Sequence, residues 1–460
     1  MASQRSQPRP ADGLWTTRRR GLTIGLVLST TFIAVEALAV ITIMPRVARD
    51  LGGLSLYGWV FSSFMLGSLI GTVAAGRLLD KVGLAPPFAA GILMFVAGLA
   101  LAGVAPSMAV LVLGRVLQGV GSGAVPAVSY VAIARSLPDE LRPRMMAVLS
   151  TAWVLPGLIG PALSAAVAEL LGWRWVFAGL IPLVVAAGLL ALPSLVRLGR
   201  GSAEQDPVQH RLLDSVFVAA GSALLLGGLA AHQASVMILL PIAGLALAIP
   251  ALRRLMPGGT LSARRGLPAV MLARALLTFA FFGGDAFVTL TITTVLHHST
   301  AVAGVAITLA TLAWTAGSWL QVRSARRWEN RAQLRVGLTL LLAGIAGMAL
   351  SLRPGVPLSV ALVAWSVAGL GIGFAYAPTS LMMLREAPAG REGWASASLN
   401  LADVLGTALG TGLAGAAIVV GSHQGLSMSS AVTVAFAVAG AGAGLALAIS
   451  SRLPPGGLAT

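Results

Sequence analysis

Three acidic residues lie deep inside long apolar stretches of the sequence: Glu36, Asp285 and Asp403. A charged side chain at the centre of a bilayer costs about 2.5–3.5 kcal/mol on insertion scales, and acids retained there mark proton or ion pathways. Such a carboxyl needs a water-filled cavity, a basic partner or a proton, and it can bind a proton or a cationic substrate. The alternative is a protonated carboxyl that only bonds two helices together. We interpret the three acids as candidate proton or substrate sites.

Three further polar residues lie within the apolar stretches. Asn400 precedes Asp403 by one helical turn and is expected on the same helix face. Arg115 either extends outward to the lipid headgroups or pairs with a carboxylate, which it would release when the proton leaves. Arg274 lies close to the start of its stretch, and we expect its side chain to extend to the headgroups.

No enzyme motif accompanies these residues. The sequence has no cysteine, no HExxH zinc motif and no phosphate-binding loop, and its 5 histidines fall in loops or at the ends of predicted helices. We therefore predict no catalytic residue, no metal site and no cofactor, with the proton gradient supplying the coupling ion.

The elements that position these residues must be membrane helices. Hydrophobic residues make up 57% of the 460-residue chain and charged residues only 10%, against about 25% charged in an ordinary soluble domain. Stretches of about 20 apolar residues predict membrane-spanning helices. The sequence has fourteen of them, roughly at 21–47, 57–79, 86–104, 109–134, 145–170, 173–195, 213–232, 236–252, 268–296, 300–322, 333–352, 356–384, 393–420 and 428–451. The predicted fold class is an all-α integral membrane protein.

The basic residues indicate the orientation of the chain. Most of the 31 Lys and Arg residues fall in the N-terminal tail and in every second loop after it, which the positive-inside rule places in the cytoplasm. Both termini are then cytoplasmic, and the net charge of +16 reflects this topology and contact with anionic lipid. Nucleic acid is not expected as a partner, because no basic face with interleaved aromatic residues exists. By analogy, the excess of Arg over Lys suggests a bacterium with a GC-rich genome. The membrane is then expected to be the plasma (inner) membrane.

An internal repeat divides the sequence. The pattern of Phe32, Glu36 and Thr42 recurs about 250 residues later in the segment 281–292, with Asp285 in the place of Glu36. By the same spacing Arg115 corresponds to Trp365. The repeat predicts two parallel six-helix bundles around a linker that holds two extra membrane helices: residues 1–200, 201–261 and 262–460. This is the architecture of transporters whose site lies between the two halves.

Several short motifs occur in order along the predicted helices. They are Glu36 to Pro45 followed by Asp50-Leu51, Gly76-Arg77-Leu78-Leu79-Asp80-Lys81-Val82-Gly83, Arg115-x-x-Gln118-Gly119-x-Gly121, Gly160-Pro161, and Trp173-Arg174-Trp175-Val176-Phe177. In these segments the chain resembles the major facilitator superfamily, and within it the fourteen-helix drug:proton antiporters. It departs from that family where Leu84–Pro87 replaces a basic run and where Ser164-Ala165 replaces a glycine pair.

The resemblance implies roles for individual residues. Glu36 stands where the family usually has aspartate, and Arg115 and Gln118 stand in the helix 4 motif that is implicated in proton transfer. Arg77 and Asp80 would latch a cytoplasmic gate. Gly160 and Pro161 resemble a motif of exporters, which is expected to act in gating as well.

These observations lead to one hypothesis and its rivals. The chain is expected to be a proton-coupled antiporter that exports amphipathic or cationic small molecules across the plasma membrane by alternating access. Its partners would be the small-molecule substrate, protons and membrane lipid, and we expect a monomer. The alternatives are an exporter of a lipid or metabolite, an importer (symporter), or a multispanning membrane enzyme or receptor.

Overall fold

The computed structural model describes residues 14, 16, 19–138, 141–199, 211–231, 233–325, 327–387 and 392–454, and these form helices without a β-strand. In chain order the helices are α1 (Arg20–Leu51), α2 (Tyr57–Val82), α3 (Ala85–Gly103), α4 (Met108–Ser136), α5 (Arg142–Thr151), α6 (Val154–Leu170), α7 (Arg174–Ala178), α8 (Leu180–Leu198), α9 (Arg211–Leu229), α10 (Ala234–Leu255), α11 (Leu267–Leu290), α12 (Thr300–Ser324), α13 (Asn330–Leu350), α14 (Leu358–Glu386), α15 (Glu392–His423) and α16 (Met428–Ile449). A π-helical turn, Thr291–Val295, extends α11. Most of the basic N-terminal tail lies outside the described residues.

The lengths of these helices fit a membrane protein. Thirteen helical stretches within the described residues are long and apolar enough to cross a bilayer, and one shorter apolar helix covers Leu155–Leu170. The predicted all-α membrane architecture is therefore confirmed. The predicted number of fourteen spans is reached only if the shorter helix is included.

The prediction of one continuous helix over 145–170 is wrong. α5 ends at Thr151 and α6 begins at Val154, with Ala152 and Trp153 in a turn between them. Pro156 explains the break, since proline has no N–H to donate and its ring conflicts with the carbonyl four residues earlier, which belongs to Ala152.

The helices pack as two groups with matching contacts. In residues 20–198, α4 packs on α2 and α3, and α1 packs on α6 and α8; in residues 267–449, α14 packs on α12 and α13, and α11 packs on α15 and α16. The extra helices α9 and α10 pack on each other, and α9 lies against α2 and α15. The matching arrangement supports the repeat, while the boundaries at 200 and 262 stay predictions.

The two groups meet on the side of the bundle opposite the chain ends. Ser62 in α2 donates a 2.8 Å hydrogen bond to the carbonyl of Ala408 in α15, and its hydroxyl lies 2.9 Å from that of Thr411. Thr289, near the end of α11, donates a 2.7 Å hydrogen bond to the carbonyl of Ile41 in the second half of α1. These hydrogen bonds join the two groups of helices on that side. We call the line of contact between the two groups the seam.

Two glycines allow the closest approach at this seam. A Cβ atom at Gly58 in α2 would lie 2.9 Å from the Cα atom of Gly415 in α15, which is shorter than a carbon–carbon contact. On the far side of the molecule α6 packs on α12, where Gly304 faces the carbonyl of Pro161. Small residues let membrane helices pack this closely.

Toward the chain ends the same seam is open. A cavity of about 190 Å³ separates α2 from α15 there, and its wall includes Leu69, Thr72, Gly76, Leu255, Asn400 and Val404. α2 and α15 therefore make close backbone contact at one end and line a cavity, together with α10, toward the other.

Candidate functional site

The acid of α1 and the arginine of α4 form a buried ion pair. Arg115 donates a hydrogen bond from Nη1 to Oε1 of Glu36 and a second, 2.9 Å long, to Oε1 of Gln118. Glu36 is 1% exposed and Arg115 2%. Among the described residues the other carboxylate oxygen, Oε2 of Glu36, has no hydrogen-bond partner. The structure thus joins three of the predicted site residues in one network halfway along α1.

Arg115 has further contacts besides its ion pair with Glu36. Its Nε donates a 3.0 Å hydrogen bond to the carbonyl of Val60 in α2, and its guanidinium carbon lies 4.3 Å from the centre of the Phe64 ring. The sequence left open whether this side chain reaches the headgroups or pairs with a carboxylate. The structure has the second arrangement, and one side chain thereby ties α1, α2 and α4 together.

Asp285 in α11 has a neutral partner instead. The indole Nε1 of Trp365 in α14 donates a 2.8 Å hydrogen bond to Oδ1 of Asp285. Asp285 is 5% exposed. Within the described part of the chain, none of the ion pairs between a basic side chain and a carboxylate includes Asp285. A buried carboxyl without a counter-ion is the most unusual electrostatic feature of the second group of helices.

A chain of aromatic rings surrounds that carboxyl. The ring of Phe281, one helical turn before Asp285, stacks on Trp365 with 5.5 Å between centroids and meets Trp314 edge-on at 5.2 Å. Trp365 also lies 6.2 Å from Phe436. The rings of Phe281 and Trp365 are buried, whereas Trp314 is partly exposed.

The expectation that Arg274 extends to the headgroups is wrong. Arg274 is 2% exposed and grips Asp403 in α15, donating from Nε to Oδ1 and from Nη2 to Oδ2, the latter over 2.9 Å. Its Nη1 donates to the Tyr376 carbonyl at 2.6 Å and to the Thr379 hydroxyl at 2.7 Å. The Tyr376 hydroxyl donates to Oδ2 of Asp403 at 3.0 Å. The buried guanidinium, with its fork of donors, is thus paired with a partly exposed carboxylate inside the protein and not with a lipid headgroup.

Asn400 does not join this cluster. It is exposed and lines the cavity between α2 and α15, and no hydrogen bond between it and Asp403 occurs among the described residues. The sharing of one polar face by Asn400 and Asp403 stays a prediction.

The predicted gating residues lie at two seams. Arg77 is half-buried in the last turns of α2 near the chain ends, and the side chain of Asp80 lies outside the described part of the structure. Gly160 and Pro161 lie in α6, where Pro161 faces α12. Their part in gating stays a prediction.

Three residues had no predicted role. Trp365 and Tyr376 donate hydrogen bonds to the predicted site residues Asp285 and Asp403, and Thr379 accepts one from Arg274. For Trp365 the signal was present, because the repeat places it at the position of Arg115. For Tyr376 and Thr379 nothing in the sequence indicates which side chain Arg274 meets.

The sequence matches the profile of the Major Facilitator Superfamily over residues 22–411. The chain belongs to this superfamily. It is 26% identical over 452 residues to a probable multidrug-efflux transporter of Mycobacterium tuberculosis, with 90% of each chain covered. It is also 31% identical over 181 residues to multidrug resistance protein 3 of Bacillus subtilis, which covers 39% of this chain and 35% of that protein.

Solved structures of superfamily transporters have the same fold. A D-xylose–proton symporter superposes with a TM-score of 0.67 at 14% identity, covering 95% of this chain and 98% of that one. A POT family transporter in complex with 5-aminolevulinic acid superposes with a TM-score of 0.69 at 14% identity, covering 96% and 98%. The chain is thus a multi-pass transporter of the Major Facilitator Superfamily with multidrug-efflux relatives.

Proposed function

We propose that this transporter is a proton-coupled antiporter that exports amphipathic or cationic small molecules by alternating access. The observation that carries the proposal is the buried ion pair of Glu36 and Arg115, halfway along α1 and sealed from lipid. A membrane protein retains such a pair at the cost of removing two charges from water, which favours a functional reason for it. The multidrug-efflux relatives support the direction of transport.

Proton binding at Glu36 changes what holds α1. A proton removes the negative charge that attracts Arg115, whereas the hydrogen bonds of Arg115 to Val60 and Gln118 and its contact with Phe64 remain. The guanidinium therefore stays with α2 and α4, and α1 is released from it when the proton binds, which reverses the sequence-based expectation of release when the proton leaves. A proton on one carboxyl is in this way converted into movement between helices, as switching by local electrostatics requires.

Alternating access needs a seam that opens on one side while it closes on the other. α2 and α15 touch at Gly58 and Gly415 and diverge around the cavity that Asn400 lines. With the termini in the cytoplasm, as the positive-inside rule predicts, the open side faces the cytoplasm, where an exporter loads its substrate. In this proposal Arg77 and Asp80 latch that side when it closes, and Gly160 and Pro161 let α6 slide along α12.

The two acids of the second group of helices differ in how many hydrogen bonds hold their carboxylates. Both oxygens of Asp403 are held by Arg274 and Tyr376. Asp285 has one hydrogen bond, from Trp365. We assign Asp403 to positioning α15 and Asp285 to contact with the transported molecule.

The test is transport by the purified protein in liposomes under an imposed pH gradient. Acid inside the vesicle should drive uptake of ethidium by an antiporter, whereas a symporter would respond to the opposite gradient. Glu36→Gln should abolish this gradient-driven uptake and leave exchange of labelled for unlabelled substrate at equal pH. Glu169→Gln, an exposed acid near the end of α6, is the matched control. Full gradient-driven uptake by Glu36→Gln would refute the assignment, and uptake driven by the opposite gradient would refute antiport.

A further inference from the structure

Each group of helices has a buried acid on its first helix, and only one of the two acids is paired with a basic side chain. Glu36 in α1 and Arg115 in α4 correspond through the repeat to Asp285 in α11 and Trp365 in α14. Both acids accept a hydrogen bond from that partner on the fourth helix. In the first pair the donor is a guanidinium, and in the second it is an uncharged indole.

The aromatic ring beside the cation is also repeated. Phe64, over which the Arg115 guanidinium lies at 4.3 Å, corresponds to Trp314 of the second group. Trp314 contacts Phe281, and Phe281 stacks on Trp365. Asp285 is therefore bonded to one member of a cluster of three aromatic rings, and a carboxyl combined with aromatic rings is what an organic cation binds. The protein supplies no basic group there among the described residues.

The other titratable groups near α11 are already committed. Of the helices that pack on it, α1 carries Glu36, which pairs with Arg115, and α15 carries Asp403, which pairs with Arg274. Tyr376 in α14 donates to Asp403, and the sequence of α16 has no titratable residue. Of the three acids at mid-helix depth, Glu36, Asp285 and Asp403, Asp285 is the one without a basic partner among the described residues, and it keeps 5% of its surface exposed where Glu36 keeps 1%.

We propose that Asp285, with the rings of Phe281, Trp314 and Trp365, is the subsite for the positive charge of a monovalent organic cation, which takes the place of a proton on Asp285. Glu36 is then reserved for the coupling proton. The inference rests on the proposed function for the identity of the transported class, but it concerns binding and can be measured without transport. One proton leaves Asp285 for each monovalent cation bound, so the charge of the subsite is unchanged.

Partial exposure of Trp314 provides the route to this subsite. Trp314 and Phe282 are half-buried, whereas Phe281 and Trp365 are buried behind them. The ring of Phe282 lies 6.1 Å from that of Trp314, and Tyr376 lies 5.7 Å from it on the other side.

The test uses tetraphenylphosphonium and the purified full-length protein in detergent. Calorimetry measures its affinity, and a pH indicator in weakly buffered solution measures proton release on binding. In solution acid enough to keep Asp285 protonated before binding, the wild type should bind and release close to one proton per cation. Asp285→Asn should weaken binding at least tenfold and abolish the release, and Phe281→Leu should weaken binding several-fold. Glu169→Gln controls for loss of an acid, and elution on size exclusion controls for folding.

Glu36→Gln separates this inference from the proposed function. If Glu36 is the coupling site alone, Glu36→Gln binds tetraphenylphosphonium and releases the proton as the wild type does, even though it no longer transports against a gradient. Absence of binding to the wild type overturns the inference. So does unchanged binding and proton release by Asp285→Asn, or proton release that is lost in Glu36→Gln only.

Discussion

Glu36 and Asp285 occupy equivalent places in two groups of helices, yet their surroundings carry different charge. Glu36 lies against a guanidinium that is itself bonded to α2, α4 and a phenyl ring. Asp285 lies against an indole within a larger aromatic cluster. A single difference at one repeat position, Arg115 against Trp365, makes one site neutral by itself and leaves the other to be neutralised by a bound proton or cation. Duplicated architecture thus allows one half to specialise in the proton and the other in the substrate.

A second difference lies nearer the chain ends. In the second group, Arg274 and Asp403 tie α11 to α15, and α15 runs unbroken from Glu392 to His423. At the corresponding positions the first group has Gly25 and Trp153, so it has no ion pair, and its helix breaks beside Trp153. At this position an ion pair ties two helices of the second group together, whereas the first group has a break in its helix.

The rigid tie should show the largest effect on stability. Arg274→Met leaves Asp403, which is 19% exposed, without its cation, and the cost should approach about 3–5 kcal/mol, the cost of removing one partner of a fully buried pair. We expect a strong fall in the thermal unfolding midpoint in detergent. The double variant Arg274→Met with Asp403→Leu should recover most of that loss, because it removes the second charge as well. Equal destabilisation by the single and double variants would show that the pair is not what ties α11 to α15.

The difference between the two acids can be removed by one substitution. Trp365→Arg gives Asp285 the guanidinium that Glu36 already has, and the resulting pair should exclude a ligand cation. We expect transport of ethidium to fall at least a hundredfold, about 2.7 kcal/mol, without loss of folding. Trp365→Phe, which keeps an aromatic ring and adds no charge, is the control and should retain most of the activity. Normal transport by Trp365→Arg would mean that the two sites do not differ in the proposed way.

The closed seam offers a third test, with a smaller effect. A side chain at Gly58 would collide with Gly415, so Gly58→Val should keep α2 and α15 apart on the side away from the chain ends. We expect transport to fall at least tenfold, about 1.4 kcal/mol. Labelling of a cysteine placed at Thr411 should rise in Gly58→Val. Gly444→Val, at a glycine of α16 with open space around it, should leave both measurements unchanged.

The sequence was sufficient to find the charged residues whose burial in a membrane is energetically costly. Acids at bilayer depth stand out in an apolar stretch, and for this reason Glu36 and Asp285 were found without any structure. The pairing of Glu36 with Arg115 remained one of two alternatives, because depth along a helix does not determine which way a long side chain points.

The sequence was a poorer guide where the outcome depends on helix rotation. Arg274 lies close enough to the start of its helix to reach water, and only the structure shows that its side chain turns inward to Asp403. Asn400, three residues from Asp403, turns instead to the cavity between α2 and α15. The break beside Trp153 was in principle readable from Pro156, but several other helices contain proline without a break.

The smallest effect concerns the ring that holds the cation of the first group. Phe64→Leu keeps an apolar side chain but removes the aromatic face under Arg115, and a desolvated cation–π contact is worth about 1–2 kcal/mol. Because Arg115 keeps its bonds to Glu36, Gln118 and Val60, we expect folding and ethidium binding to be retained. Proton coupling should weaken by a few-fold, seen as a lower ratio of gradient-driven uptake to equal-pH exchange in liposomes. The corresponding substitution in the second group, Trp314→Leu, should do the reverse, weakening tetraphenylphosphonium binding while leaving that ratio intact. If both substitutions lower the same quantity, the two aromatic rings serve one site, and the division between a proton half and a substrate half does not hold.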